Sequence, residues 1–165
     1  MSVISAIYKA FEHKEKRNWD TIFFAIDIHD TIIKSNYQTG NIPTEFYPNA
    51  IVGLQELTLR KDIKLILYTC SHPHEILEYL ELFRKYNIFF DFINENTDVK
   101  TNLQGYGNYE QKPYFNVLLD DKAGFNPISD WPKVIQSLNP YRDKNALPIL
   151  GKENECNEWE TIRLI

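Results

Sequence analysis

Cysteine is nearly absent: Cys70 and Cys156 are the two in 165 residues. Their number and spacing exclude a disulfide framework and a metal knuckle, and leave ordinary thiols of a reducing compartment, with the cytoplasm as the default. An excess of positive charge is also missing, since 18 Lys and Arg stand against 23 Asp and Glu for a net charge of -5. That balance excludes broad nucleic-acid binding through many neutralised phosphates, but leaves room for one phosphorylated end. The segment from Met1 to Asp20 has no continuous apolar stretch and carries His13, Lys14, Glu15, Lys16 and Arg17, which argues against a signal peptide or a membrane span. Repeats, heptads and low-complexity tracts are lacking too, so neither a solenoid nor a coiled coil is expected.

What is present is enough apolar material, 43% of residues, for one ordinary domain over 1–165, with its core over about 20–140. Ile4, Ile7, Tyr8 and Phe11 recur at helical spacing and predict an amphipathic helix over 2–17. Thr21 to Ile28 and Ile63 to Tyr68 are short apolar, β-branched runs of the kind buried on both faces of a parallel sheet. Between them, Ile51, Leu54, Leu57 and Thr58 mark a helix. Pro73 opens another helix with the stripe Ile76, Leu77, Leu80 and Phe83, stopping near Asn87. Phe89 to Ile93 and Asn116 to Leu119 supply two further strands, and Asp130 is expected to cap a last helix through Trp131, Val134, Ile135 and Leu138. Residues 140–165 fit the alternation poorly.

Alternating strands and helices with right-handed crossovers predict a doubly wound, mostly parallel sheet in a three-layer α/β/α arrangement. Ligands in such sheets bind beyond the carboxyl ends of the strands. The polar residues there are Asp27, His29, Asp30 and Thr31 after the first strand and Thr69 and Ser71 after the second. Lys112 lies ahead of the fourth strand, and Asp120 and Asp121 follow it. Carboxylates ~4 Å apart repel by about 4 kcal/mol per pair at an effective dielectric near 20. Such a cluster therefore calls for a cation or a proton. Oxygen-only ligands together with a phosphate suit magnesium, Mg²⁺.

The stretches FAIDIHDTI, LILYT and KPYFNVLLDD resemble, in order, the four motifs of the haloacid dehalogenase (HAD) superfamily, over about residues 22–138. LLDDKAGFNPISDW is similar to the end of small, capless members of that superfamily. The resemblance implies a Rossmann-like core in which Asp27 attacks phosphorus to give an aspartyl-phosphate that water then hydrolyses. It implies that Asp27, Asp120 and Asp121, with the backbone carbonyl of His29, serve the Mg²⁺ site. Thr69, with Ser71 beside it, would hydrogen-bond the phosphoryl oxygens, and Lys112 would neutralise charge on the phosphate and on Asp27.

His29 departs from that pattern, because phosphatases of the superfamily place an aspartate there as acid and base. Positioned proton transfer is worth 10²- to 10⁴-fold. An imidazole can act near neutral pH, so His29 could replace the aspartate, or Asp30 could swing in. The residue after the acid/base is commonly Gly in the family, so Asp30 is expected to change the shape of the turn.

Plainer roles exist for several of these groups. Thr69 also suits a strand end, Lys112 a solvated loop, His72 and His74 a helix start, and Cys70 a buried inert thiol. Only Ile32 to Tyr47 and Asn94 to Gln111 are free to cover the pocket, enough for a flap and a loop but not for a cap domain. The substrate expected is a phosphorylated small molecule or a polynucleotide end, with a homo-oligomer allowed and no membrane partner. Two other functions remain open: a metal-keeping scaffold that lost turnover when His29 arrived, and a phospho-accepting receiver. The order of the motifs disfavours the receiver, because receivers carry their acidic pair on the first strand.

Overall fold

A computed structural model of the protein describes residues 2–37, 40–101 and 107–141. In chain order these hold α1 (Val3–Arg17), β1 (Ile22–Ile26), α2 (Ala50–Leu59), β2 (Ile63–Leu67), α3 (Pro73–Lys85), β3 (Phe92–Ile93), β4 (Val117–Leu119) and α4 (Pro127–Ser137). The strands form an all-parallel sheet in the order β3-β2-β1-β4. With the four helices of the described residues, this is a three-layer α/β Rossmann-like fold.

The helix expected over 2–17 is there. Ser2 caps it by accepting the Ser5 amide at 3.3 Å, and Asn18, at φ 54°, closes it in the left-handed conformation. Its inward face is Ile7, Ala10 and Phe11, whereas Tyr8 is exposed. On α3 the inward stripe is Ile76, Tyr79, Leu80 and Phe83, and Leu77 lies outside it. Residues of all four helices share one core with Ile22, Phe24, Ile26, Ile63, Leu65 and Leu67. The opposite face, with Phe23, Ala25 and Ile66, is covered by chain that includes Val99, Tyr114 and Phe115. Alternate residues of β1 thus enter two cores, which is why its run is apolar throughout.

The third strand is shorter than the apolar run from Phe89 predicts. The Phe89 amide and carbonyl are both taken by the Thr58 hydroxyl, at 3.0 and 2.7 Å, so this residue bonds to α2 instead of the sheet. The last helix begins earlier than expected. Asn126 is its cap, accepting the Ile128 and Ser129 amides at 3.1 and 3.3 Å, and Pro127 takes the first turn. Asp130 receives the Asn126 amide at 2.9 Å from inside the helix, and Pro132 is an interior residue.

Between β1 and α2 the chain makes a flap. The Lys34 amide bonds the Glu45 carbonyl at 2.8 Å, the Tyr47 amide bonds Ile32 at 2.9 Å, and Ile33 bridges Phe46 antiparallel. Tyr141 stacks on Phe11 with ring centroids 3.7 Å apart. Residues 142–165, with Cys156, lie outside the described residues. Among the described residues no helix is long and apolar enough to cross a membrane.

Candidate functional site

Strands β1 and β4 are neighbours although four elements separate them in the chain. Their carboxyl ends therefore bring distant residues together at the point where the winding of the sheet reverses. The backbone leaves β1 at Asp27, whose amide still bonds the Leu119 carbonyl at 2.9 Å. Asp120 and Asp121 follow Leu119 directly. The three residues offer carboxylate oxygens that all lie within 4.8 Å of one another, in half-buried positions, a group able to hold a metal ion.

Each aspartate is braced. Asp120 accepts the Lys122 amide at 2.7 Å and so caps the short turn Asp121–Ala123. The Asp121 amide donates to the Thr31 hydroxyl at 3.0 Å. The Asp27 carboxyl is pushed up to about 6, first by burial and also by the charges of Asp120 and Asp121, against the opposing pull of the Ile28 amide and Lys122. Lys122 itself is exposed, its ammonium 3.5 Å from Asp121 and held above its ordinary value chiefly by that carboxylate.

The other residues singled out in the sequence fall on both sides of expectation. Thr69 is buried at the end of β2, with its hydroxyl 2.9 Å from that of Ser71 and accepting the Ser71 amide at 3.2 Å. Asn94, after β3, clamps this loop by accepting the Thr69 amide and donating to the Thr69 carbonyl, both at 2.8 Å. Lys112 is exposed ahead of β4, and the lysine whose charge acts on Asp27 is Lys122. His72 precedes α3, where its amide donates to Glu75 at 2.8 Å, and it stacks with His74 at 5.8 Å. Cys70 is exposed, contrary to the buried thiol expected.

His29 turns toward α3. Its Nε2 lies 2.7 Å from the Tyr79 hydroxyl, with the rings edge to face at 5.5 Å. Tyr79 is 1% exposed, and burial, reinforced by the charges of Glu75, Glu78 and Asp27, raises its phenol to about 12. Asp30 is already committed to the flap. It accepts from the Ser35 hydroxyl at 2.6 Å, the Ser35 amide at 3.2 Å, Tyr37 at 3.1 Å and Tyr47 at 3.2 Å. These bonds, Ser35 first, lower its pKa despite partial burial. Swinging Asp30 into the pocket would break all four. Asp30 also has φ 54°, so the turn keeps the left-handed conformation that glycine favours rather than changing shape.

Tyr79, Asn94, Thr31 and Lys122 received no role from the sequence. Tyr79 does sit three residues after Ile76 and four before Phe83, a spacing that marks it as inward-facing.

No family model matches the sequence, and no curated protein matches it. The fold is similar to the solved structure of a conserved protein from Bacteroides thetaiotaomicron. The two share 22% identity and a TM-score of 0.55 over 76% of this chain and 96% of that one. A likeness at that identity shows the parallel α/β fold alone.

Proposed function

We propose that this chain is a Mg²⁺-dependent phosphohydrolase of the HAD type, acting on a phosphomonoester through Asp27. The observation that carries the reading is the convergence of Asp27, Asp120 and Asp121 within 4.8 Å, beside Thr69 and Ser71 at the adjoining strand end. Hard oxygen donors in partly exposed positions suit Mg²⁺, which would neutralise phosphate charge when bound.

One Asp27 oxygen attacks phosphorus as the bond to the ester oxygen breaks, the departing oxygen taking its proton from solvent, and water then attacks the phosphorus of the aspartyl-phosphate to release phosphate and Asp27. The Thr69 and Ser71 hydroxyls, fixed by Asn94, are hydrogen-bond donors for the phosphoryl oxygens. Lys122 offers positive charge beside Asp121 and Asp27. The partial exposure of the three aspartates supports a phosphorylated small molecule or a polynucleotide end as the substrate.

A second reading is a metal-keeping scaffold with little or no turnover. It is favoured by the commitment of His29 to Tyr79 and of Asp30 to four flap donors. Phosphate release from an aryl phosphate and a nucleotide panel, with and without Mg²⁺, separates the two. The phosphohydrolase reading expects Mg²⁺-dependent release that Asp27→Asn abolishes. Release retained in a folded Asp27→Asn protein overturns it, and metal binding without release supports the scaffold.

A further inference from the structure

The pocket holds one pair that neither the metal cluster nor the phosphate loop accounts for, the His29 imidazole and the Tyr79 phenol. Their polar atoms are 2.7 Å apart. Tyr79 comes from the inward face of α3 among Ile76, Leu80 and Phe83, so its ring is immobilised by packing on a regular helix. Among the described residues its hydroxyl has one partner, His29 Nε2. The second imidazole nitrogen, Nδ1, has none among them.

We propose that Tyr79 is a positioning residue whose hydroxyl donates to His29 Nε2, fixing the neutral imidazole as the Nδ1–H tautomer. The inference rests on reading this pocket as a phosphoryl site.

Two arrangements fit a contact of this length. Either the phenol gives its proton to Nε2, or Nε2–H gives its proton to the phenol oxygen. In the second arrangement the phenolic proton must find another acceptor, and the described structure offers none around a residue that is 1% exposed. A buried donor left unpaired forfeits its hydration with no return, whereas the first arrangement satisfies it. A neutral imidazole carries one ring proton, so an accepting Nε2 fixes that proton on Nδ1. The edge-to-face packing, 82° between ring planes, holds the ring in the orientation this requires.

The consequence is chemical. A base must present a lone pair to the water it activates, and an Nδ1–H nitrogen has none to give. His29 held in this way has an N–H and no lone pair to offer at Nδ1, and does not repeat the two-way proton traffic of the aspartate that the resemblance leads one to expect at this position.

The test is a long-range ¹H–¹⁵N correlation spectrum of the full-length protein labelled with ¹⁵N-histidine, recorded at about pH 9, where imidazoles are neutral. The His29 signals are assigned by their loss in His29→Gln. The expected result is a protonated Nδ1 and a bare Nε2 in the wild type, with Tyr79→Phe moving His29 toward a mixture of both tautomers. A wild type carrying its proton on Nε2 overturns the proposal, as does a pattern that Tyr79→Phe leaves unchanged. The wild-type spectrum alone decides the tautomer if the variant does not fold. No substrate is present, so an absence of phosphatase activity leaves this result intact and is detected separately.

Discussion

Trp131 Nε1 donates a 2.8 Å hydrogen bond to the Thr31 carbonyl, joining α4 to the loop that follows Asp27. The hydroxyl of the same threonine receives the Asp121 amide at 3.0 Å. One buried residue therefore holds together the two segments that supply the carboxylates, and the geometry of the cluster depends on it more than on any bond between the aspartates themselves.

Thr31→Val keeps the branched shape of that residue and removes the hydroxyl that accepts from Asp121. The Asp121 amide is left without its partner, so the carboxylate it carries loses its fixed position. Outer contacts of this kind commonly change metal affinity by about 10- to 100-fold. Calorimetric titration with Mg²⁺ is expected to show weakening of about tenfold, and unchanged affinity would show that Asp121 does not need this brace.

Gly53 on α2 lies under the Trp131 ring. A Cβ built there would be 2.7 Å from Trp131 Cε3, closer than packed carbons approach. Gly53→Ala must push the indole away from Thr31, and overpacking of this sort costs about 1–3 kcal/mol. Urea unfolding should report a loss of that size, although alanine is the better helix former.

Burial is the first cause that lifts the Asp27 carboxyl to about 6, so the folded protein binds this proton more tightly than the unfolded chain, where Asp titrates near 4. Without metal, this group costs stability progressively as pH rises from about 4 to 6, and its full cost is present above that window. The difference in Tm between Asp27→Asn and wild type, both treated with chelator, is expected to widen in favour of the variant from about pH 4.5 to 6.5. Added Mg²⁺ should raise the wild-type Tm more at pH 8 than at pH 5, because at the lower pH it must displace a proton.

If proton transfer is what the His29 position withholds, an aspartate there should supply it. His29→Asp alone would strand the Tyr79 hydroxyl, so the informative variant is His29→Asp combined with Tyr79→Phe. Turnover of an aryl phosphate is expected to rise by about 10²-fold or more. A variant no faster than wild type would mean that chemistry is not limited by the missing acid and base.

The sheet was legible because buried parallel strands are written as apolar runs, as in Ile22–Ile26 and Ile63–Leu67. The aspartates were legible because they stand at the ends of those runs. What could not be read were contacts decided by which surfaces meet in three dimensions. Tyr79 and Asn94 come from elements with no chemical signature of their own, and Lys122 resembles any exposed lysine until the pairing of β1 with β4 brings its charge to bear on Asp27. Phe89 has the character of a strand residue, but the Thr58 hydroxyl takes its backbone bonds. Asp130 had the right chemistry for a cap, and lost that position to Asn126 because Pro127 can open the helix four residues earlier.

The strand order β3-β2-β1-β4 also sets a timetable for the growing chain. The partner on one side of β1 arrives early with β2, but the other edge is closed only when Val117 reaches Phe24 and Leu119 reaches Ile26. Until then a fully apolar strand presents an open ladder, the kind of edge that recruits another chain. Nascent chains halted before β4 are thus the species most dependent on chaperones, and the carboxylate cluster comes into existence in the same late step that removes the hazard.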